Sequence, residues 1–179
     1  MSRCERCLLQ RCLCAEIPVV ATRTRVVIVR HHGERSRSSN SGRLAHLALP
    51  NSEVVDHGGL GGPARLPVLD GAVLVYPQGE SRVPSPPPRA IVVLDATWSQ
   101  ARRMFRKLDG LRGMPVWRLP EAPAAVARLR EAPSPDRVST IEAIARALRV
   151  LEGAAVAAPL DELFALAVER ARQSGRRVV

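Results

Sequence analysis

Four cysteines lie within the first fourteen residues, in the pattern Cys4-x2-Cys7 and Cys12-x-Cys14. Four closely spaced thiolates suit a tetrahedral zinc ion, and a shell of four sulfurs leaves the metal no open position for catalysis. The spacing therefore predicts a structural zinc knuckle over residues 1–20. An unligated cluster, disulfides and an iron–sulfur cluster are the alternatives. Because the start of the chain lacks the apolar segment of a signal peptide, we expect a cytoplasmic protein whose thiols stay reduced.

An acid follows directly after the apolar run AIVVL of residues 90–94. This is Asp95, and Thr97 and Trp98 come next. The carboxyl end of a buried parallel strand is where open α/β sheets bind ligands, so Asp95 is a candidate catalytic carboxylate. The alternative is that Asp95 only caps the helix that follows. Trp98 on an apolar helix face is more typical of a core residue than of a ligand contact.

Two further polar stretches have the composition of binding loops. Ser139-Thr140-Ile141-Glu142 matches a helix capping box, and a helix N-terminus also receives carboxylates and phosphates. The loop from residue 31 to residue 42 is polar, and loops of this kind often bind ligands or carry catalytic groups. Its candidate residues are His31, Glu34 and Asn40. The alternatives are a purely structural cap and solvated loop side chains.

The charge balance of the chain points to a polyanionic partner. Lys+Arg total 27 against 17 Asp+Glu, which gives a net charge of +10, and nucleic acid is the leading candidate. Several of these arginines follow Asp95 on the predicted helix, namely Arg102, Arg103 and Arg106. No apolar stretch approaches the length of a membrane span, so we expect no membrane association. No obligate protein partner is evident.

Alternating strand and helix patterns predict an α/β fold over residues 24–179. Short β-branched runs predict strands at 24–29, 52–57, 72–76, 90–94 and 115–119, the third ended by Pro77. Helices are expected at 43–49, after Asp95, at 139–153 and at 160–173, the last opened by Pro159. This order favours a mostly parallel sheet with helices on both faces.

Taken together, these stretches resemble the DTW-domain family, whose name describes the motif Asp95-x-Thr97-Trp98. Ala96 and Ser41 stand where the family pattern leads us to expect Gly or Thr, and Ser41 keeps the hydroxyl. The resemblance covers about residues 4 to 153 and rests on five motifs in register, which are the cysteine cluster, His31-x2-Glu34 with Asn40-Ser41-Gly42, Tyr76-Pro77, Asp95 to Arg102, and Ser139 to Glu142.

The resemblance implies a tRNA-uridine aminocarboxypropyltransferase that uses S-adenosylmethionine as donor. It also implies a SPOUT-like fold with a knotted C-terminal half. In that enzyme Asp95 would accept or polarise the N3 proton of the uracil. The resemblance places the donor against Tyr76, Pro77, Thr97, Trp98, Leu119, Ser139 and Thr140, and tRNA against His31, Glu34, Asn40, Arg102, Arg103 and Arg106. Two alternatives stay open, a SPOUT-like RNA methyltransferase and a zinc-knuckle RNA-binding protein without catalysis.

Overall fold

The protein contains one five-stranded parallel sheet flanked by helices. The computed structural model describes residues 3–121, 129 and 138–175. The sheet has the strand order β2-β1-β4-β3-β5, and every neighbouring pair is parallel. The strands are β1 (Arg25–His31), β2 (Ser52–His57), β3 (Ala72–Glu80), β4 (Ala90–Asp95) and β5 (Val116–Trp117). The helices are α1 (Ser41–Ala48), α2 (Trp98–Lys107), α3 (Thr140–Glu152) and α4 (Ala154–Gln173).

The central strands β1 and β4 are apolar along most of their length because both faces of the sheet are covered. Alternate residues, such as Val26 and Ile28, contribute to one apolar cluster together with α1, α3 and α4. The intervening residues, such as Val27 and Val29, contribute to a second cluster with α2. Parallel strands buried on both faces read as continuous apolar runs, which is why the sequence pattern located them. The predicted α/β class, parallel sheet and two-sided helices are confirmed.

The sequence predicts that Pro77 ends β3, but the strand continues through this residue. It continues to Glu80, but its pairing with β5 shifts register between Val75 and Glu80, both of which lie opposite Trp117. Such an irregularity leaves a strand residue without its ladder hydrogen bond. Proline, which has no N–H to donate, is tolerated at such a position. At Gly79 a Cβ atom would lie 2.4 Å from the carbonyl oxygen of Val116. Only glycine at position 79 therefore allows the bulge to lie this close to β5.

The last helix also differs from its prediction. Helix α4 begins at Ala154 directly after Gly153, whose φ of 105° ends α3. Pro159 lies inside α4 instead of opening it. Burial of the flanking Ala157 and Leu160, both 0% exposed, offsets the hydrogen bond that proline removes.

The remaining expectations fall partly outside the described residues. Strand β5 spans two residues where five were predicted. The connection before α3 and the Arg-rich tail lie largely in the ranges that the structure does not describe, and the predicted knot stays a prediction. Within the described ranges, no helix has the length and apolar character that a membrane span requires.

Candidate active site and metal centre

Asp95 ends β4 in the centre of the sheet, next to Arg30 of β1. Its side chain is 0% exposed. One carboxylate oxygen, Oδ2, accepts a hydrogen bond of 2.7 Å from Nδ2 of Asn40, and Oδ1 accepts one of 2.8 Å from the hydroxyl of Thr140. Residues that are 55 and 45 positions away in the sequence therefore meet at one carboxylate. This is the most strongly organised polar group among the predicted site residues.

Two helix N-termini converge on this carboxylate. Asn40 caps α1, since its Oδ1 accepts the backbone N–H of Arg43 at 2.7 Å. Ser139 caps α3, with its own N–H bonded to the Glu142 carboxylate at 2.8 Å, as the capping-box pattern predicted. The two helix ends are also joined directly, because the Ile141 N–H donates to the Ser41 hydroxyl at 3.3 Å. The positive ends of both helix dipoles favour a negative charge on Asp95.

Asp95 does not cap α2, so the alternative that it only caps the following helix is wrong. The N-cap of α2 is Thr97, and Gln100 completes a capping box with it. Oε1 of Gln100 accepts the Thr97 N–H at 2.9 Å and the Thr97 hydroxyl at 2.8 Å. Both Asp and Thr are common caps, and the first helical residue, Trp98, lies directly after Thr97 and three residues beyond Asp95, which decides between them.

Gly42 is a site residue that sequence reasoning left without a role. A Cβ atom at this position would lie 2.7 Å from Cγ of Asp95 and 2.9 Å from each carboxylate oxygen. Contacts below 3.0 Å are essentially never made by a real Cβ, so only glycine lets α1 approach the carboxylate this closely. The sequence signal for this role is a glycine two positions after the N-cap Asn40, since glycine inside a helix lowers the stability of the helix.

The other predicted donor-site residues lie on different sides of the sheet. Tyr76, at the start of the β3 bulge, stacks on Phe105 of α2 with ring centroids 4.4 Å apart. Pro77 is exposed in the bulge, and Trp98 is half-buried at the first position of α2. Leu119 packs against the opposite apolar cluster, the one that contains α3. Thr140, by contrast, reaches Asp95 directly through its hydroxyl.

The predicted RNA-binding residues divide into an exposed group and a buried group. The arginines on α2 are exposed, and His31 is half-buried. Glu34 and Asn40 are 0% and 3% exposed, respectively, and Asn40 Nδ2 donates to the Glu34 carbonyl at 3.0 Å. The Asn40 side chain therefore joins the loop backbone at Glu34 to Asp95. The exposed group is formed by Arg102, Arg103 and Arg106.

The cysteine sulfurs form a compact cluster in which all four Sγ atoms lie within 4.8 Å of one another. Cys4 and Cys14 are 3.7 Å apart, Cys4 and Cys12 3.5 Å, and Cys7 and Cys12 4.0 Å. A tetrahedral ion with Zn–S bonds of about 2.3 Å requires sulfurs about 3.8 Å apart. The cluster could therefore hold zinc, as the spacing predicted.

Backbone N–H groups support the anionic form of one of these thiols, Cys4. The backbone N–H groups of Cys7 and Arg6 lower the pKa of Cys4 to about 6. Burial raises the pKa of Cys14 to about 12, with the neighbouring sulfurs contributing in the same direction. A bound cation would remove the increase in the pKa of Cys14. Thiolates that otherwise repel one another are then ligands of one positive ion.

The knuckle is joined to the rest of the protein by apolar and polar contacts. Leu9 and Leu13 are buried in the cluster that also contains α3 and α4. The guanidinium of Arg43, in α1, donates to the carbonyls of Arg6 and Arg35 at 3.2 and 2.9 Å. Loss of the metal should therefore weaken the packing beside the Asp95 site as well as the knuckle itself.

We expect purified protein to contain about one zinc per chain and Cys12→Ser to lose most of it, because a three-sulfur site binds the ion more weakly. Cys12 is exposed, so the substitution perturbs the fold mainly through the metal. The melting temperature should fall in the variant, and a chelator should lower it in the wild type only. Gln10→Ser, also exposed in the same loop, is the control. Full zinc content in Cys12→Ser would contradict a four-sulfur site.

A family comparison adds to this geometry. The family model of the DTW domain matches residues 1–172. The chain belongs to the DTW domain family. The tRNA-uridine aminocarboxypropyltransferase 2 of Drosophila melanogaster is 28% identical to this DTW-domain protein over 169 residues, which cover 84% of the chain and 67% of that relative.

A solved structure shows the same fold. It is that of the SAM-dependent rRNA:acp-transferase Tsr3 from Vulcanisaeta distributa, which superimposes with a TM-score of 0.55 and 18% sequence identity. The match covers 86% of this DTW-domain protein and 81% of that chain. At this identity the likeness establishes a shared architecture, and it agrees with the fold class expected from the sequence.

Proposed function

We propose that this protein transfers the 3-amino-3-carboxypropyl group of S-adenosylmethionine to N3 of a tRNA uridine and releases methylthioadenosine. The observation that carries the proposal is the buried carboxylate of Asp95 between two helix N-termini, in a chain of the DTW domain family. The names of the relative and of the structural neighbour support the same group transfer, one to tRNA and the other to rRNA.

The donor supplies a sulfonium whose three carbon neighbours are all electrophilic, so the protein selects the reaction by the carbon it presents. The donor carboxylate fits the N-terminus of α3, where Ser139 and the backbone N–H of Thr140 would receive it. The hydroxyl hydrogen of Thr140 is already directed to Asp95. The rest of the donor would lie along the carboxyl edge of the sheet, because the remaining residues of the proposed site lie toward or beyond the ends of β3, β4 and β5. These residues are Tyr76, Pro77, Thr97, Trp98 and Leu119.

Asp95 would receive the N3 proton through Thr140. Asp95 is 0% exposed, whereas Thr140, whose hydroxyl contacts its carboxylate, is half-buried and thus more accessible to a substrate. Because the Thr140 hydroxyl donates to Oδ1 of Asp95, its oxygen can accept the uracil N3–H. A proton moved from N3 to the Thr140 oxygen displaces the hydroxyl proton to Asp95. The negative charge then lies on the uracil as N3 attacks the donor carbon.

The exposed arginines of α2, Arg102, Arg103 and Arg106, would bind RNA phosphates beside this site. At the end of β1, His31 is half-buried and could contact RNA, and the buried Glu34 and Asn40 in the loop that follows would position it. We further propose that the knuckle of residues 1–20 and the domain of residues 24–179 act as one unit. A cytoplasmic location remains part of this proposal.

The direct test is mass spectrometry of nucleosides from unmodified tRNA transcripts incubated with protein and S-adenosylmethionine. We expect aminocarboxypropyl-uridine and methylthioadenosine in equal amounts, and neither without the donor. Methyluridine with S-adenosylhomocysteine would identify a methyltransferase instead. Absence of any product, with intact RNA binding, would identify a non-catalytic RNA-binding protein. An rRNA fragment assayed in parallel tests whether the substrate is tRNA or rRNA, the two classes that the names of the relative and the structural neighbour give.

A further inference from the structure

A pair of histidines lies at the carboxyl end of the sheet, beside the Asp95 site. His31 ends β1 and His57 ends β2, and the two are register partners with ring centroids 6.4 Å apart. The His32 ring lies 4.4 Å from His31 and packs against the loop after β2, where a Cβ on Gly58 would lie 3.0 Å from it. The sequence around His57 gives this residue no predicted role.

The backbone determines which nitrogen of each ring carries the hydrogen. The Gly33 N–H donates to Nδ1 of His31 at 3.1 Å, and the Ala64 N–H donates to Nδ1 of His57 at 3.2 Å. A nitrogen that accepts a hydrogen bond carries no proton, so these contacts assign both rings to the neutral form with hydrogen on Nε2. Each ring thus offers one N–H donor of fixed direction.

The surroundings keep both rings neutral and make their environment positive. Burial lowers the pKa of His31, and the charges of His32, His57 and Arg103 lower it further, against the opposing effect of Glu34. Burial and then His32 lower the pKa of His57. The neighbouring Asp56 is engaged by Arg30 at 2.7 Å, so it does not offset the local positive charge.

The two Nε2–H groups remain available for a ligand. Both rings are half-buried, and within residues 3–121, 129 and 138–175 neither Nε2 atom has a hydrogen-bond partner. A hydrogen bond of this kind spans about 2.9 Å. Two donors on rings 6.4 Å apart can therefore reach two oxygens of one phosphate group placed between them.

We propose that His31 and His57 bind one backbone phosphate of the RNA substrate, each as a neutral hydrogen-bond donor through Nε2. This inference rests on the proposed function, because it takes RNA as the ligand. Arg103 would attract the phosphate, and the paired rings would fix its position relative to Asp95. The contact differs from an Arg–phosphate contact because it releases no counterion of its own.

The test is a pair of substitutions at position 57 that separate the two nitrogens. In His57→Asn the side-chain oxygen can still accept the Ala64 N–H, but no donor reaches the position of Nε2. In His57→Gln the amide nitrogen reaches that position, while the contact with Ala64 is lost. We expect His57→Asn to weaken binding of an unmodified tRNA transcript about threefold to tenfold, the range of one neutral hydrogen bond. His57→Gln should bind within about twofold of wild type.

Salt and pH dependence distinguish a neutral donor from a charged one. The slope of log affinity against log salt should be unchanged in His57→Asn, whereas Arg103→Gln should reduce it by about one. Between about pH 7.5 and 9 the ratio of wild-type to His57→Asn affinity should stay constant, since a ring whose pKa lies below its ordinary value is neutral in this range.

Three results would overturn the inference. Wild-type affinity in His57→Asn would show that Nε2 makes no contact. Equal losses in both variants would assign His57 to the folding of its loop. A flattened salt slope in His57→Asn would show a charged contact. Failure of the wild-type protein to bind tRNA would overturn the proposed function itself, and it is distinguishable because it does not depend on position 57.

Discussion

Asp95→Asn should lower the single-turnover rate of aminocarboxypropyl-uridine formation by roughly 10²–10⁴-fold, the range for a lost acid–base group. The carboxylate accepts one donor on each oxygen, Nδ2 of Asn40 and the Thr140 hydroxyl, and the new amide has an acceptor at only one of these two positions. Loss of one of these hydrogen bonds in a site that is 0% exposed should lower the free energy of unfolding by about 1–3 kcal/mol. Asp70→Asn, at an exposed position, is the control for a lost surface charge.

The double exchange Asn40→Asp with Asp95→Asn separates stability from catalysis. Asp caps a helix about as well as Asn, and the new amide at position 95 could donate to the new carboxylate at position 40. The cap of α1 and one contact between the two positions are therefore restored. The contact between position 40 and the Glu34 carbonyl is lost, so we expect the melting temperature to recover only in part. The rate should stay low, since the charge now lies at position 40. Recovery of the rate together with stability would reduce Asp95 to a structural role.

Gly42→Ala should lower the same rate by at least about 10²-fold, because a displacement of about 1 Å in a catalytic group has an effect of that size. The added Cβ would lie 2.7 Å from Cγ of Asp95, so the carboxylate, or α1, must move. Alanine is the better helix former by about 1 kcal/mol. A fall in melting temperature would therefore report the clash and not the helix propensity.

The matched control for this substitution is Gly61→Ala. Within the described part of the chain, a Cβ at Gly61 would meet nothing within 4 Å, and no positive φ requires glycine there. This variant should keep its rate and its melting temperature. A Gly42→Ala protein with wild-type rate would show that the position of the Asp95 carboxylate tolerates a shift, and that it is not set by α1.

Local patterns in the sequence predicted the elements of this fold but not how they meet. The β-branched runs located β1 and β4, and the Ser139 capping box located the start of α3, because each signal lies within a few residues. Asn40 and Asp95 could be placed at one edge of the sheet, since parallel strands end together. The arrival of Thr140 there depends on how α3 packs across the sheet. No local pattern encodes that packing.

Two errors show the same limit. Pro77 reads as the end of a strand, and only the presence of β5 beside the bulge explains why β3 continues. Pro159 reads as the start of a helix, and only the turn at Gly153 explains why α4 begins earlier. At Pro77 the local preference was overridden by a partner strand, and at Pro159 by the turn at Gly153 and by the burial of Ala157 and Leu160. The role of Gly42 was missed for a similar reason, because the close approach involves Asp95.

The three-way contact at Asp95 also has a consequence for how the chain is made. Its members are separated by 55 and 45 residues, and Ser41 and Ile141 by 100, so the site cannot close while the C-terminal part of the chain is still unsynthesised. At about 5–20 residues per second, translation from Asp95 to Thr140 takes about 2–9 s. For that interval Asp95 lacks the N-terminus of α3, so the completed site can form only after Thr140 has been synthesised.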